Sequence, residues 1–87
     1  MNSLELKGER VRHGFTQKMM ATNLEISPSS YANKENGKLE FTDSEKLKIA
    51  EMFAFSYRKV NDVFFDGKLP YDMPASGSNS EAEAFSN

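Results

Sequence analysis

Between Leu4 and Phe65 the apolar positions recur three or four residues apart, the spacing of one helical face, and capping residues cut them into short segments. Leu4 to His13 reads as helix 1: Leu6, Arg10 and His13 share a stripe that would face the rest of the domain, and Gly14 follows as a stop. Thr16 then offers a capping oxygen, and Met20, Ala21 and Leu24 line one face of helix 2, about Gln17 to Leu24, with Phe15 packed over its start. After Glu25-Ile26, Ser27 can cap again and Pro28 falls in a first turn, where proline loses no hydrogen bond. Gly37 lies just past the end, so helix 3 runs from about Pro28 to Asn36.

Thr42 or Asp43 caps helix 4, in which Leu47, Ile49, Ala50, Met52, Phe53 and Ala54 are apolar on more than one side. That pattern predicts the most central helix of the domain. Ser56 caps helix 5, where Tyr57, Val60, Val63 and Phe64 recur at helical spacing. The run Val63-Phe64-Phe65 is either a helix end tucked against helices 1 and 4 or part of a dimer contact. From Asp66 the composition turns to Gly, Pro, Ser, Asn and Ala. Residues 1–65 are therefore expected to form the domain and 66–87 a flexible or partner-ordered tail. A chain cut after Lys68 should melt with the full one.

Length changes the picture only by limiting it: 87 residues suit one small domain, which buries about 60% of its unfolded surface. The absence of cysteine removes disulfides and thiolate metal sites and is compatible with a reducing cytoplasm. The longest apolar run, Ile49 to Phe55, is interrupted by Glu51 and too short to span a bilayer, and Met1 to Val11 is too charged for a signal peptide. A soluble, cytoplasmic protein is the simplest expectation. No nucleophile with a base, phosphate-cradling glycine loop or cluster of metal ligands stands out, so neither an enzyme nor a cofactor-binding protein is expected. His13 is the only histidine and reads as a packed, partly exposed ring. The carboxylates of Glu40, Asp43 and Glu45 fall at a helix start, where the helix dipole accounts for them.

Thr16-Gln17, Ala21, Ile26-Ser27, Tyr31 and the run Glu35-Asn36-Gly37-Lys38 together resemble the helix-turn-helix of the phage Cro and repressor family, over roughly Leu4 to Phe65. The resemblance implies an all-α, five-helix bundle in which Ala21 is the small residue between helices 2 and 3, Ile26 the apolar turn residue and Tyr31 the residue beneath helix 3. It also implies an ion pair between Arg10 and Glu35. The sequence departs from the family at two positions. Glu25 stands in place of glycine, which requires a left-handed backbone at some cost or another turn. Lys34 stands in place of Ile or Leu, so its stem should lie along the core against Phe41 with the ammonium in water.

The function that the resemblance implies is sequence-specific binding of double-stranded DNA by a transcriptional regulator of phage or prophage origin, with helix 3 in the major groove of each half-site of a homodimer. Gln17 would meet a backbone phosphate, as would Asn36, Gly37 and Lys38 after helix 3. The outer face of helix 3 carries Pro28, Ser29, Ala32, Asn33 and Asn36, small or polar groups of the kind a groove admits. Asn33 suits the N6 and N7 edge of adenine, Ser29 a base edge of either kind, and Pro28 and Ala32 a thymine methyl group. Ser27 and Ser30 flank this face as further phosphate contacts.

Charge points the other way. The net charge of −2 argues against holding nucleic acid by bulk electrostatics, although residues 66–87 account for −3, leaving +1 on residues 1–65. The alternative from another class is a protein-binding module, antitoxin-like or an antirepressor partner, that keeps the fold without DNA.

Overall fold

The computed structural model describes residues 1–70, and these form five α-helices with no strand among them: α1 (Ser3–Arg12), α2 (Gln17–Leu24), α3 (Pro28–Glu35), α4 (Asp43–Met52) and α5 (Tyr57–Phe64). Their starts follow directly from side-chain chemistry. Asn2, Thr16, Ser27, Thr42 and Ser56 each adopt an extended backbone and accept the amide three residues on, satisfying a donor the helix itself cannot. Thr42 and Glu45 close a reciprocal capping box.

The turn between α2 and α3 is made by Glu25 in the left-handed conformation, φ 60° and ψ 42°, with the Ile26 amide donating back to the Ala21 carbonyl at 3.0 Å. The sequence thus keeps a glycine-type turn without the glycine. Gly37, φ 84°, ends α3 in the same region at no steric cost.

Leu6, Met20, Ala21, Tyr31, Phe41, Ile49, Phe53, Val63 and Phe64 form the core. The most extensive helix contact is between α2 and α3, and α1 packs on α3 and α5. Aromatic rings link the layers: Phe41 meets Tyr31 on one side and Phe64 on the other, while Phe53 is edged by Phe15 and stacked by His13 at 4.4 Å. His13 is thereby the packed, partly exposed ring its register suggested. Lys59 reaches from α5 to Glu5 (2.6 Å) and Glu9 (2.9 Å), tying α5 to α1.

Two expectations require correction. The fourth helix is not the central one: Ile49 is its only buried residue, and Leu47 is 64% exposed. Apolar residues on two sides of a helix do not say which side is covered. Here the Leu47 and Ala50 side opens with Val60 and Phe65 into an apolar groove rimmed by Asp43 and Lys46.

Lys34 does not extend its ammonium into water. Its Nζ lies 2.7 and 2.8 Å from the two oxygens of Glu45, in a pair whose side chains are nearly buried. The missing apolar residue is thus replaced by a salt link to the start of α4.

Beyond α5, Leu69 and Pro70 are tied back to that helix by hydrogen bonds. Asn61 is completely buried, donates to the Leu69 carbonyl (2.9 Å) and accepts the Leu69 amide (2.8 Å), while the Tyr57 hydroxyl donates to the Pro70 carbonyl. An asparagine cannot be buried without such partners. Of the two readings of Val63-Phe64-Phe65, the tucked helix end holds for Val63 and Phe64, which are buried, with the Asn2 amide on the Val63 carbonyl. Residues 71–87, the greater part of the expected tail, lie outside the described residues.

Candidate nucleic-acid interface

The outer face of α3 is built by its cap and its proline. Ser27 Oγ accepts the Ser30 amide at 3.1 Å and Pro28 occupies the first turn, so the helix begins without an orphan donor at either position. Pro28 and Ser29 are exposed, Ser30, Ala32 and Asn33 half-buried, and Asn36 exposed at the C-cap. The Ser27 and Ser29 hydroxyls lie 3.4 Å apart. Asn33 and Asn36 have unspent hydrogen-bonding capacity on this face, because their side-chain amides have no partner among the described residues, and of the two Asn33 lies within the helix. A primary amide left this way can donate and accept together.

The backbone of Asn33 is fully used. Its carbonyl accepts the amides of Lys38 (2.8 Å) and Leu39 (3.2 Å), folding the loop after Gly37 back over the end of α3. Lys38 is held beside that end, exposed and without an ion pair among the described residues. Lys18, next to Gln17 at the start of α2, is likewise exposed and unpaired there. Its place escaped the sequence reading. An exposed lysine within a helix carries no distinguishing signal beyond adjacency to Gln17.

Beneath the face lies a buried carboxylate. Glu35, its side chain 2% exposed, receives Arg10 Nε (2.7 Å) and Tyr31 Oη (2.9 Å) on one oxygen. Arg10 Nη2 (3.3 Å) and Gln17 Nε2 (2.8 Å) meet the other. The Arg10 to Glu35 link is the one the resemblance implied. Arg10 also donates through Nη1 to the Phe15 carbonyl at 2.8 Å. The network therefore joins α1, the start of α2 and the last turn of α3.

Burial pushes the Glu35 carboxyl up, but the donors of Arg10, Gln17 and Tyr31 and the nearby guanidinium outweigh it and hold the group below the usual carboxylate range. Burial, then the adjoining Glu35 charge, drives the Tyr31 phenol strongly upward, so it stays a donor. Glu45 is also held low, where Lys34 and the Thr42 amide outweigh burial.

Gln17 thus differs from its expected setting. Its amide is half-buried and gives one hydrogen to Glu35 before any ligand is considered. Nothing in sequence spacing pairs two residues so far apart on different helices.

Among the described residues no group of three or more His, Cys, Asp or Glu is arranged to hold a metal ion, and no helix is long and apolar enough to cross a membrane. No family model matches the chain, and no curated protein or solved structure shows significant similarity to it.

Proposed function

We propose that this protein is a sequence-specific DNA-binding regulator of the phage repressor type, acting in the cytoplasm as a two-fold dimer with α3 in the major groove. The observation that carries the reading is the outer face of α3. It is small and polar, it holds the unpartnered Asn33 amide, and it is bracketed by Gln17 and Lys18 at the start of α2 and by Lys38 after α3. In this reading Asn33 and Ser29 meet base edges, Pro28 and Ala32 meet thymine methyl groups, and Gln17, Ser27, Ser30, Asn36 and Lys38 meet phosphates. Phage or prophage origin follows from the resemblance of the segment from Thr16 to Lys38.

A second reading is favoured by a specific feature, the open apolar groove of Leu47, Ala50, Val60 and Phe65, in a chain of net charge −2. On this reading the protein is a protein-binding module with the same fold and no DNA. Selecting bound duplexes from random DNA separates the two. Enrichment of a palindrome whose halves lie about one helical turn, 34 to 36 Å, apart supports the regulator. A pool that stays random supports the module.

A further inference from the structure

We infer that Glu35 is a positioning residue for DNA: it fixes the Gln17 amide so that one Nε2 hydrogen is held inside the protein and the other is aimed outward at a phosphate. This rests on the DNA-binding reading above and specifies how one of its contacts is prepared.

The geometry begins with the carboxylate itself. Each Glu35 oxygen carries two donors, Arg10 Nη2 and Gln17 Nε2 on one, Arg10 Nε and Tyr31 Oη on the other. A carboxylate held at both ends has no rotation left to give. Gln17 is bound to this fixed point at 2.8 Å while its stem is anchored in the first turn of α2. Both ends of a flexible side chain are therefore set.

A primary amide has two hydrogens and one oxygen. Donating one hydrogen to Glu35 decides which way round the amide sits and leaves the second hydrogen to diverge from the carboxylate. A carboxylate accepts only from the amino end, so the flipped amide, with its oxygen toward Glu35, is excluded by repulsion. A phosphate consequently meets a donor already oriented, and the ordering of a glutamine side chain is not charged to binding. Arg10 extends the effect: through Nη1 it holds the Phe15 carbonyl, immediately before the Thr16 cap, so the backbone entering α2 is tied to the same carboxylate.

A purely structural Glu35 would stabilise the fold and leave the Gln17 contact independent of it, and a thermodynamic cycle distinguishes the two. Affinity for a mixed-sequence duplex on the order of 20 base pairs, two helical turns, is measured at low salt by fluorescence anisotropy. Gln17→Ala is compared in the wild-type chain and in an R10M/Y31F/E35M chain, which exchanges the network for apolar groups together so that no buried charge is stranded. We expect Gln17→Ala to weaken the wild type about 5- to 10-fold, the worth of one hydrogen bond, and to change the apolar-network chain hardly at all. Equal losses in the two backgrounds overturn the inference and leave the DNA reading intact.

Gln17→Asn in the wild-type chain supplies a test that does not depend on the triple variant folding. The shorter amide cannot span Glu35 and a phosphate together, so it should bind as weakly as Gln17→Ala; wild-type affinity for Gln17→Asn contradicts the inference. Failure of the wild type itself to bind any duplex overturns the DNA reading and this inference with it.

Discussion

Lys34 and Glu35 are neighbours at the end of α3, opposite in charge and both drawn away from solvent, yet they are held in different ways. Glu35 has four hydrogen bonds from three side chains on α1, α2 and α3 itself, with 2% of its side chain exposed. Lys34 has a single side-chain partner among the described residues, Glu45, and 13% exposure. The comparison shows what a small domain without disulfides does with buried charge. Where the chain is deepest, a carboxylate collects enough donors to offset its lost hydration. At the edge, one ion pair suffices because water remains near.

The largest effect should come from breaking the deeper site. Glu35→Ala strands the Arg10 guanidinium and the Tyr31 hydroxyl in the core and should cost about 3 to 5 kcal/mol in urea unfolding, or abolish folding. The same site gives the domain an acid limit. A carboxyl whose folded pKa is depressed contributes its stability above the unfolded value, about 4.3, and loses it as pH falls through the folded value. Because Glu35 and Glu45 are both held low, the unfolding free energy should fall steadily as pH is lowered from about 4.5. A flat profile down to pH 2 would show that neither group is paired in solution.

Asn61 sharpens the comparison as a buried polar group that is neutral and is satisfied by backbone. Ending the chain at Lys68 removes both Leu69 partners and should cost about 1 to 3 kcal/mol, whereas a chain ending at Pro70 keeps them. Equal melting of the two truncated chains would mean water replaces Leu69 without loss.

The shallower pair comes next. Lys34→Ile, which puts an apolar side chain at this position, should destabilise by about 1 to 2 kcal/mol because it leaves the nearly buried Glu45 carboxylate without its counter-charge and with only the Thr42 amide as a donor. Adding Glu45→Gln, which preserves the cap, should recover most of that loss. If Lys34→Ile alone is as stable as wild type, the pair contributes nothing and the edge of α3 is simply solvated.

The smallest change lies in the turn that precedes α3. Glu25→Gly relieves a left-handed side-chain residue at φ 60° and should gain about 0.5 to 1 kcal/mol in thermal melting, the steric relief being partly offset by glycine's greater freedom in the unfolded chain. A loss instead would show that the Glu25 side chain contributes more than its backbone costs.

Much of the fold was legible because its punctuation is local. Thr16, Ser27 and Ser56 cap where their residue types imply, Thr42 rather than Asp43 caps α4, and α2 has the limits its apolar spacing suggests. The Arg10 to Glu35 pair was legible only through resemblance. What periodicity could not supply was which side of a two-sided helix is covered, and so α4, with Leu47 exposed, sits at the edge of the core.

The remaining omissions are long-range polar links. Glu45 already had a sufficient local explanation at a helix start, which concealed its bond to Lys34. Gln17 and Glu35 lie on different helices, and Asn61 holds a segment whose composition reads as tail. At the candidate interface, exposure of Pro28, Ser29 and Asn36 agreed with the helical register, whereas the commitment of the Gln17 amide had no sequence signal.

The most direct test of the account is a pair of substitutions on the duplex selected from random DNA. Asn33→Ala should cost about 1 to 3 kcal/mol on that site and relax discrimination at one base pair. Lys38→Ala should weaken all duplexes alike and reduce the salt dependence by about one unit. Wild-type affinity and selectivity for Asn33→Ala would contradict the claim that the outer face of α3 reads DNA.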